Sequence, residues 1–147
     1  MKKVIQLILM SSILLTANAI AETGISRSIF TTAIEDKEPV SDMNVITNKT
    51  SRVYFFTELT GLKGHAITHR WEYNNKTMAE LSFDIGADRW RTWSSKNILP
   101  GWTGTWQVSV LDEGGNIMDQ KTFEYHDESM YLKDETNTNT ESNTQPE

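Results

Sequence analysis

The sequence predicts an all-β domain, an antiparallel immunoglobulin-like β-sandwich of about seven strands. Three observations carry that prediction. Short runs alternate apolar and polar residues with period two, as half-buried strands do. Gly, Asn and Pro turn signals separate these runs at the spacing such sandwiches use. No stretch sustains the 3.6-residue apolar period of an amphipathic helix. The 147 residues allow one domain once the two ends are set aside.

Met1–Ala21 reads as a secretory signal. Lys2 and Lys3 form its basic start and Val4–Leu15 its apolar segment, and Ala17-Asn18-Ala19 and Ala19-Ile20-Ala21 are overlapping small-residue cleavage sites. The apolar run is short of the roughly 20 residues a spanning helix needs, so no stable membrane span is expected once the signal is cleaved. Cleavage after Ala21 leaves residues 22–126 as the sandwich and sends the protein to a bacterial periplasm or the medium. The chain has no cysteine, which excludes a disulfide framework, a thiolate metal site and a cysteine nucleophile together.

The first strand is expected over Gly24–Ile34, where Ile25 and Ile29 alternate with polar residues. Glu35–Lys49, with its charges and Pro39, reads as a connection. Arg52–Leu59 (RVYFFTEL) is the strongest β signal, a continuous β-branched and aromatic run suited to a central strand buried on both faces. Gly61 and Gly64 bracket a turn. Ala66–Tyr73 places Ile67, His69, Trp71 and Tyr73 on one face and Thr68, Arg70 and Glu72 on the other. Asn74-Asn75 closes a hairpin, because asparagine tolerates the positive φ of a tight turn. Thr77–Ile85 follows, with Ala79, Leu81, Phe83 and Ile85 expected inside and Glu80, Ser82 and Asp84 outside. Trp90–Ser95 is the next strand, and Asn97–Thr103, with Pro100-Gly101, a loop. Gly104–Leu111 and Ile117–Tyr125 flank the turn Asp112–Asn116 (DEGGN) and form the closing hairpin.

From residue 127 the composition changes. The Thr/Asn-rich tail 127–147 holds six acids and one lysine, nearly no apolar residue after Leu132, and is expected to be disordered. The whole chain carries a formal charge of −6 and no basic run, a poor electrostatic match for nucleic acid.

Four of the five tryptophans fall within Arg89–Trp106. In Arg89-Trp90-Arg91-Thr92-Trp93, alternation sends Trp90 and Thr92 one way and Arg89, Arg91 and Trp93 the other, so one indole enters the core and one lies outside. Two readings of the cluster stand. Large aromatics in small domains are usually core, with arginine stems covering them. Alternatively, an exposed Trp93 flanked by arginines offers cation–π stacking and a platform for a sugar ring or a partner's side chain. The second reading gives the candidate ligand-binding set Arg70, Glu72, Arg89, Arg91, Trp93, Lys96 and Trp102.

Two rival chemistries have residues but no motif. Glu72 and Glu80 lie across the Asn74-Asn75 hairpin and, if the register lets them face each other in a groove about 5–9.5 Å apart, would suit a glycan hydrolase. His69 and His126 would be the start of a metal site, yet His65 and His69 lie roughly 13 Å apart on a strand and share no ion. No G-x-S-x-G elbow accompanies Ser94-Ser95-Lys96. No catalytic residue, resident metal or cofactor is expected.

His69–Tyr73 (HRWEY), the segment RWRTWSSKNILPGWTGTW and the DEGGN hairpin resemble a bacterial family catalogued as domain of unknown function 2914 (DUF2914). FTTAIEDKEPV (Phe30–Val40) and VYFFTEL (Val53–Leu59) are similar too, so the resemblance spans about Ile29 to Tyr125. Many members of that family are exported or membrane-attached. It brings no established ligand or catalytic residue, so the resemblance implies boundaries rather than a function. Together these readings lead to one expectation, an exported non-enzymatic binding or accessory module of the envelope whose partner is a glycan or an envelope protein.

Overall fold

The computed structural model describes residues 23–130 and Lys133; the expected signal and the rest of the tail lie outside the described residues. The described residues form ten strands: β1 (Gly24–Thr31), β2 (Ile34–Glu35), β3 (Glu38–Pro39), β4 (Val45–Thr47), β5 (Arg52–Thr60), β6 (Ala66–Tyr73), β7 (Lys76–Asp84), β8 (Arg89–Asn97), β9 (Gly104–Leu111) and β10 (Ile117–His126). They form a three-stranded sheet, β1-β5-β8, a five-stranded sheet, β4-β10-β9-β6-β7, and a small β2–β3 ribbon. The all-β sandwich is as expected, but with ten strands rather than seven. The three additional strands are short and lie where the end of the first strand, at Ile34, and a plain connection were expected.

One of them also breaks the antiparallel rule. Val45, Ile46 and Thr47 of β4 run parallel to Glu124, Tyr125 and His126 of β10. Ile46 is buried there as part of the core, which favours the pairing. The β2–β3 ribbon is closed by Asp36 and Lys37, with φ of 49° and 64°. Glu35 pairs with Glu38 across these two residues, which makes the turn type I′. Asn74 and Asn75, at φ 50° and 59°, close β6–β7 in the same way.

The core lies between the two main sheets. Phe30 of β1 is central to it, with its ring centroid 4.9 Å from Phe55, 4.6 Å from Phe123 and 6.1 Å from Trp71. Trp71, Trp106, Phe123 and Tyr125 from the five-stranded sheet meet Phe30, Val53, Phe55 and Leu59 from the other. Each such side chain, fully buried, contributes roughly 1.5–3 kcal/mol. Tyr73 stacks on Trp106 at 4.7 Å, and Trp102 from the loop packs against both.

Strand β5 is central in its sheet and buried on both faces, as its composition requires. Strand β7 is an edge, and this corrects one expectation. Leu81, placed inside by alternation, is 36% exposed, because an edge strand has neighbours on one side only. The domain also extends past residue 126. Asp127 bonds Asn48 and caps Ser129, and Glu128 pairs with Lys49 at 2.6 Å.

Candidate functional site

Three adjacent cross-strand rows of the outer face of the β1-β5-β8 sheet carry the candidate residues Arg89, Arg91 and Trp93 of β8. Ile29, Phe56 and Trp93 form one row, Arg27, Glu58 and Arg91 the next, and Thr60 with Arg89 the last. Alternation along β8 therefore does what the sequence suggested. Trp90 packs against the core, whereas Arg89, Arg91 and Trp93 face outward, Trp93 remaining partly exposed.

Glu58 is the electrostatic centre of this face and only 6% exposed. It accepts from Arg91 Nε at 2.8 Å, from Arg89 Nε and Nη2 at 3.2 and 3.1 Å, and from Arg27 Nη1 at 3.5 Å. The Arg91 hydrogen bond, aided by Arg89, holds its carboxyl below the usual carboxylate range although burial acts the other way. Glu38 on the ribbon ties in Arg27 at 3.0 Å and Arg91 at 2.8 Å. These bonds lash the ribbon across the sheet and leave Phe56 fully buried, with the Arg27 guanidinium 5.1 Å from its ring centroid.

Between the ribbon's turn, β8 and the Gly86–Asp88 turn lies a groove of about 470 Å³ lined by Lys37, Ala87, Arg89, Trp90, Arg91 and Trp93. Trp93, from the outward face of β8, and Trp90, from the face that packs on the core, line it with three cations and no carboxylate. The arginines differ in availability. Arg91 is committed to Glu58 and Glu38, whereas the Arg89 side chain is 66% exposed. Lys37 has no ion-pair partner among the described residues.

The other candidate residues stand elsewhere, so the seven do not make one surface. Arg70 and Glu72 are on the outer face of the five-stranded sheet, where Arg70 donates to Glu80 at 2.5 Å and Glu72 accepts from Gln107 at 2.9 Å and Ser109 at 3.2 Å. Lys96 points between the sheet edges, its Nζ 3.4 Å from the Met78 carbonyl. Trp102 belongs to the aromatic stack that seals the end of the sandwich, and its carbonyl accepts from Trp106 Nε1 at 3.0 Å. Alternation sorted faces correctly but could not say which sheet each strand joins.

A polar relay crosses the core beneath the groove. Trp71 Nε1 donates to Ser94 Oγ at 2.9 Å, and Ser94 Oγ lies 2.9 Å from His69 Nδ1. His69 Nε2 lies 3.1 Å from Thr57 Oγ1, which reaches the Thr92 carbonyl at 3.4 Å. An indole only donates and a carbonyl only accepts, so one arrangement satisfies every group. Ser94 donates to Nδ1, and a proton on Nε2 goes to Thr57; the network assigns the neutral Nε2–H tautomer. Burial pushes His69 down from 6.5 to about 3, so it is neutral at any ordinary pH. Neither Ser94 nor His69 reaches solvent, and the pair ties the two sheets together rather than presenting a nucleophile.

Comparison with known families bears on the strands that carry this relay and one wall of the groove. Residues 65–125 match the family model DUF2914, described as a protein of unknown function. The DUF2914 match runs from β6 through most of β10 and includes His69, Trp71, Arg89, Arg91, Trp93 and all of the DEGGN hairpin. Phe30–Val40 and Val53–Leu59 lie before it, so the DUF2914 segment holds the β8 wall but neither Lys37 nor Glu58. No curated protein matches the chain.

Within the matched segment, Glu72, Glu80 and His69 of the two rival chemistries are engaged otherwise. Glu80 pairs with Arg70, and the groove at Glu72 is lined by Asn74, Asn75, Thr105 and Gln107 without Glu80. Both His69 nitrogens are used inside the core, which removes it from any site shared with His126. Among the described residues, no helix is long and apolar enough to cross a membrane.

Proposed function

We propose that this chain is an exported, non-enzymatic binding module of the bacterial envelope, and that the groove on the β1-β5-β8 sheet takes a glycan. The observation that carries this reading is the groove's composition, the outward-facing indole of Trp93 beside three cations with no carboxylate. Indoles offer flat apolar surface to the C–H face of a sugar ring, while guanidinium and ammonium groups bond its oxygens. Its volume falls within the roughly 300–1,000 Å³ of small-molecule sites. The Glu58 network supports the same reading, because it fixes Arg89 and Arg91 before any ligand arrives and so lowers the ordering cost of binding. The signal-like N-terminus supports export.

The test is retention of the purified protein on cell-wall sacculi and, separately, on solubilised envelope proteins, with Trp93→Ala beside it. Near-UV circular dichroism checks that the variant is folded. Retention on sacculi that the folded variant loses is the expected result. Retention by envelope proteins alone would make the module a protein adaptor. Absence of retention on both would leave the groove as surface packing and end the proposal.

A further inference from the structure

We infer that the glycan taken by this groove is acidic, a pyranose carrying a carboxylate, and that Lys37 and Arg89 bind that carboxylate while the ring stacks on Trp93. The inference rests on the glycan reading above and deepens it.

The first observation is charge. The chain as a whole is acidic at −6, yet this groove is lined by Lys37, Arg89 and Arg91 and by no acid. A neutral sugar needs no such excess, since its hydroxyls both donate and accept and are served by mixed polar groups. Glu58 and Glu38 use up Arg27 and Arg91. Arg89 keeps Nη1 beyond its two bonds to Glu58, and Lys37 keeps its whole ammonium group. What remains unspent at the rim is cationic, and a carboxylate is the anion that a sugar ring carries directly.

The second observation is independent of charge and concerns the backbone. Lys37 occupies the second central position of a type I′ turn at φ 64°. Glycine or asparagine suits that position, as Asn75 at φ 59° does in the β6–β7 turn of the same domain. Lysine there is a locally unfavourable choice, and strained residues concentrate where a side chain is held for function. In this fold the strained position is the one whose side chain lines the groove.

The experiment measures binding of the purified protein to polygalacturonate, polyglucuronate and alginate, each beside its carboxyl-reduced neutral form. Native sacculi run beside sacculi whose carboxylates have been amidated, which separates uronate rings from cell-wall carboxylates as the source. Lys37→Gly and Lys37→Asn remove the ammonium while suiting the turn, so both variants fold. The expected result is preference for an acidic form over its neutral counterpart. Each Lys37 variant should lose affinity for the acidic form on the order of tenfold, the worth of one charge-assisted hydrogen bond, with no loss toward the neutral form. Equal binding of acidic and neutral forms, still lost in Trp93→Ala, would overturn the acidic assignment and leave the glycan reading standing. Acid preference that survives both Lys37 variants would overturn the role of Lys37. Binding to none of these glycans would overturn both.

Discussion

The buried imidazole of His69 makes stability depend on pH. Folding holds His69 neutral down to about pH 3, whereas in the unfolded chain it takes up a proton near 6.5. As pH falls below 6.5, the unfolded state gains a proton that the folded state refuses, and stability is lost progressively down to pH 3. With those two values the loss is about 2 kcal/mol between pH 7 and pH 5 and roughly 5 kcal/mol over the whole window. Glu58 acts at lower pH. Its depressed carboxyl contributes stability above the ordinary 4.5 that is lost as pH falls through its folded value, so it leaves the pH 7–5 interval to histidine. The assay is urea unfolding at pH 7, 6 and 5, followed by tryptophan fluorescence, for the natural protein and for His69→Gln. The glutamine variant loses the ring packing against Phe55 and Phe83 and is less stable at pH 7. It also loses the titration, so the gap between the two proteins narrows by about 2 kcal/mol from pH 7 to pH 5. A gap that stays constant would refute the argument, as would an NMR titration placing His69 near 6.5.

Three further outcomes follow from the same contacts. Ser94→Ala orphans the Trp71 indole N–H and His69 Nδ1 inside the core and should cost about 3 kcal/mol in chemical denaturation while leaving glycan retention intact. Lys37→Gly relieves the left-handed lysine and should raise stability by about 1 kcal/mol, a gain read from the urea midpoint. Glu58→Gln should lower that midpoint more than Glu38→Gln does, because Glu58 is nearly sealed among three arginines whereas the Glu38 side chain is 39% exposed.

The seven long strands were legible because each carries its own local pattern, alternation in most and a continuous β-branched and aromatic run in Arg52–Leu59. Ala66–Tyr73 and Gly104–Leu111 fall where alternation put them, and Asn74-Asn75 turns as asparagine pairs do. Strands β2 and β3 were not legible, because two residues hold no period and Pro39 argues against a strand. Val45-Ile46-Thr47 did carry a signal, a β-branched triplet among polar residues. In the candidate site, Arg89, Arg91 and Trp93 share a face because they share a strand. Arg70, Glu72, Lys96 and Trp102 separate from them because strand order is a tertiary fact, fixed by contacts such as Phe30 on Phe123 that join residues far apart in sequence. Lys37 was hidden in the Glu35–Glu38 charge run, whose only hint of a turn was its position before Pro39. His69 was placed inward by alternation, but its partners Thr57 and Ser94 come from the opposite sheet and no local pattern announces them.

The central claim is that the Trp93 groove binds a ligand rather than merely packing, and the five indole N–H groups test it directly. The measurement is the tryptophan indole region of a ¹H–¹⁵N correlation spectrum, each signal assigned by substitution, during titration with soluble uronate oligomers. The account predicts a progressive shift of Trp93, with Trp71 and Trp106 unmoved because their N–H groups are held inside by Ser94 and the Trp102 carbonyl. Shifts confined to Trp102, or a spectrum unchanged at saturating oligomer, would contradict it.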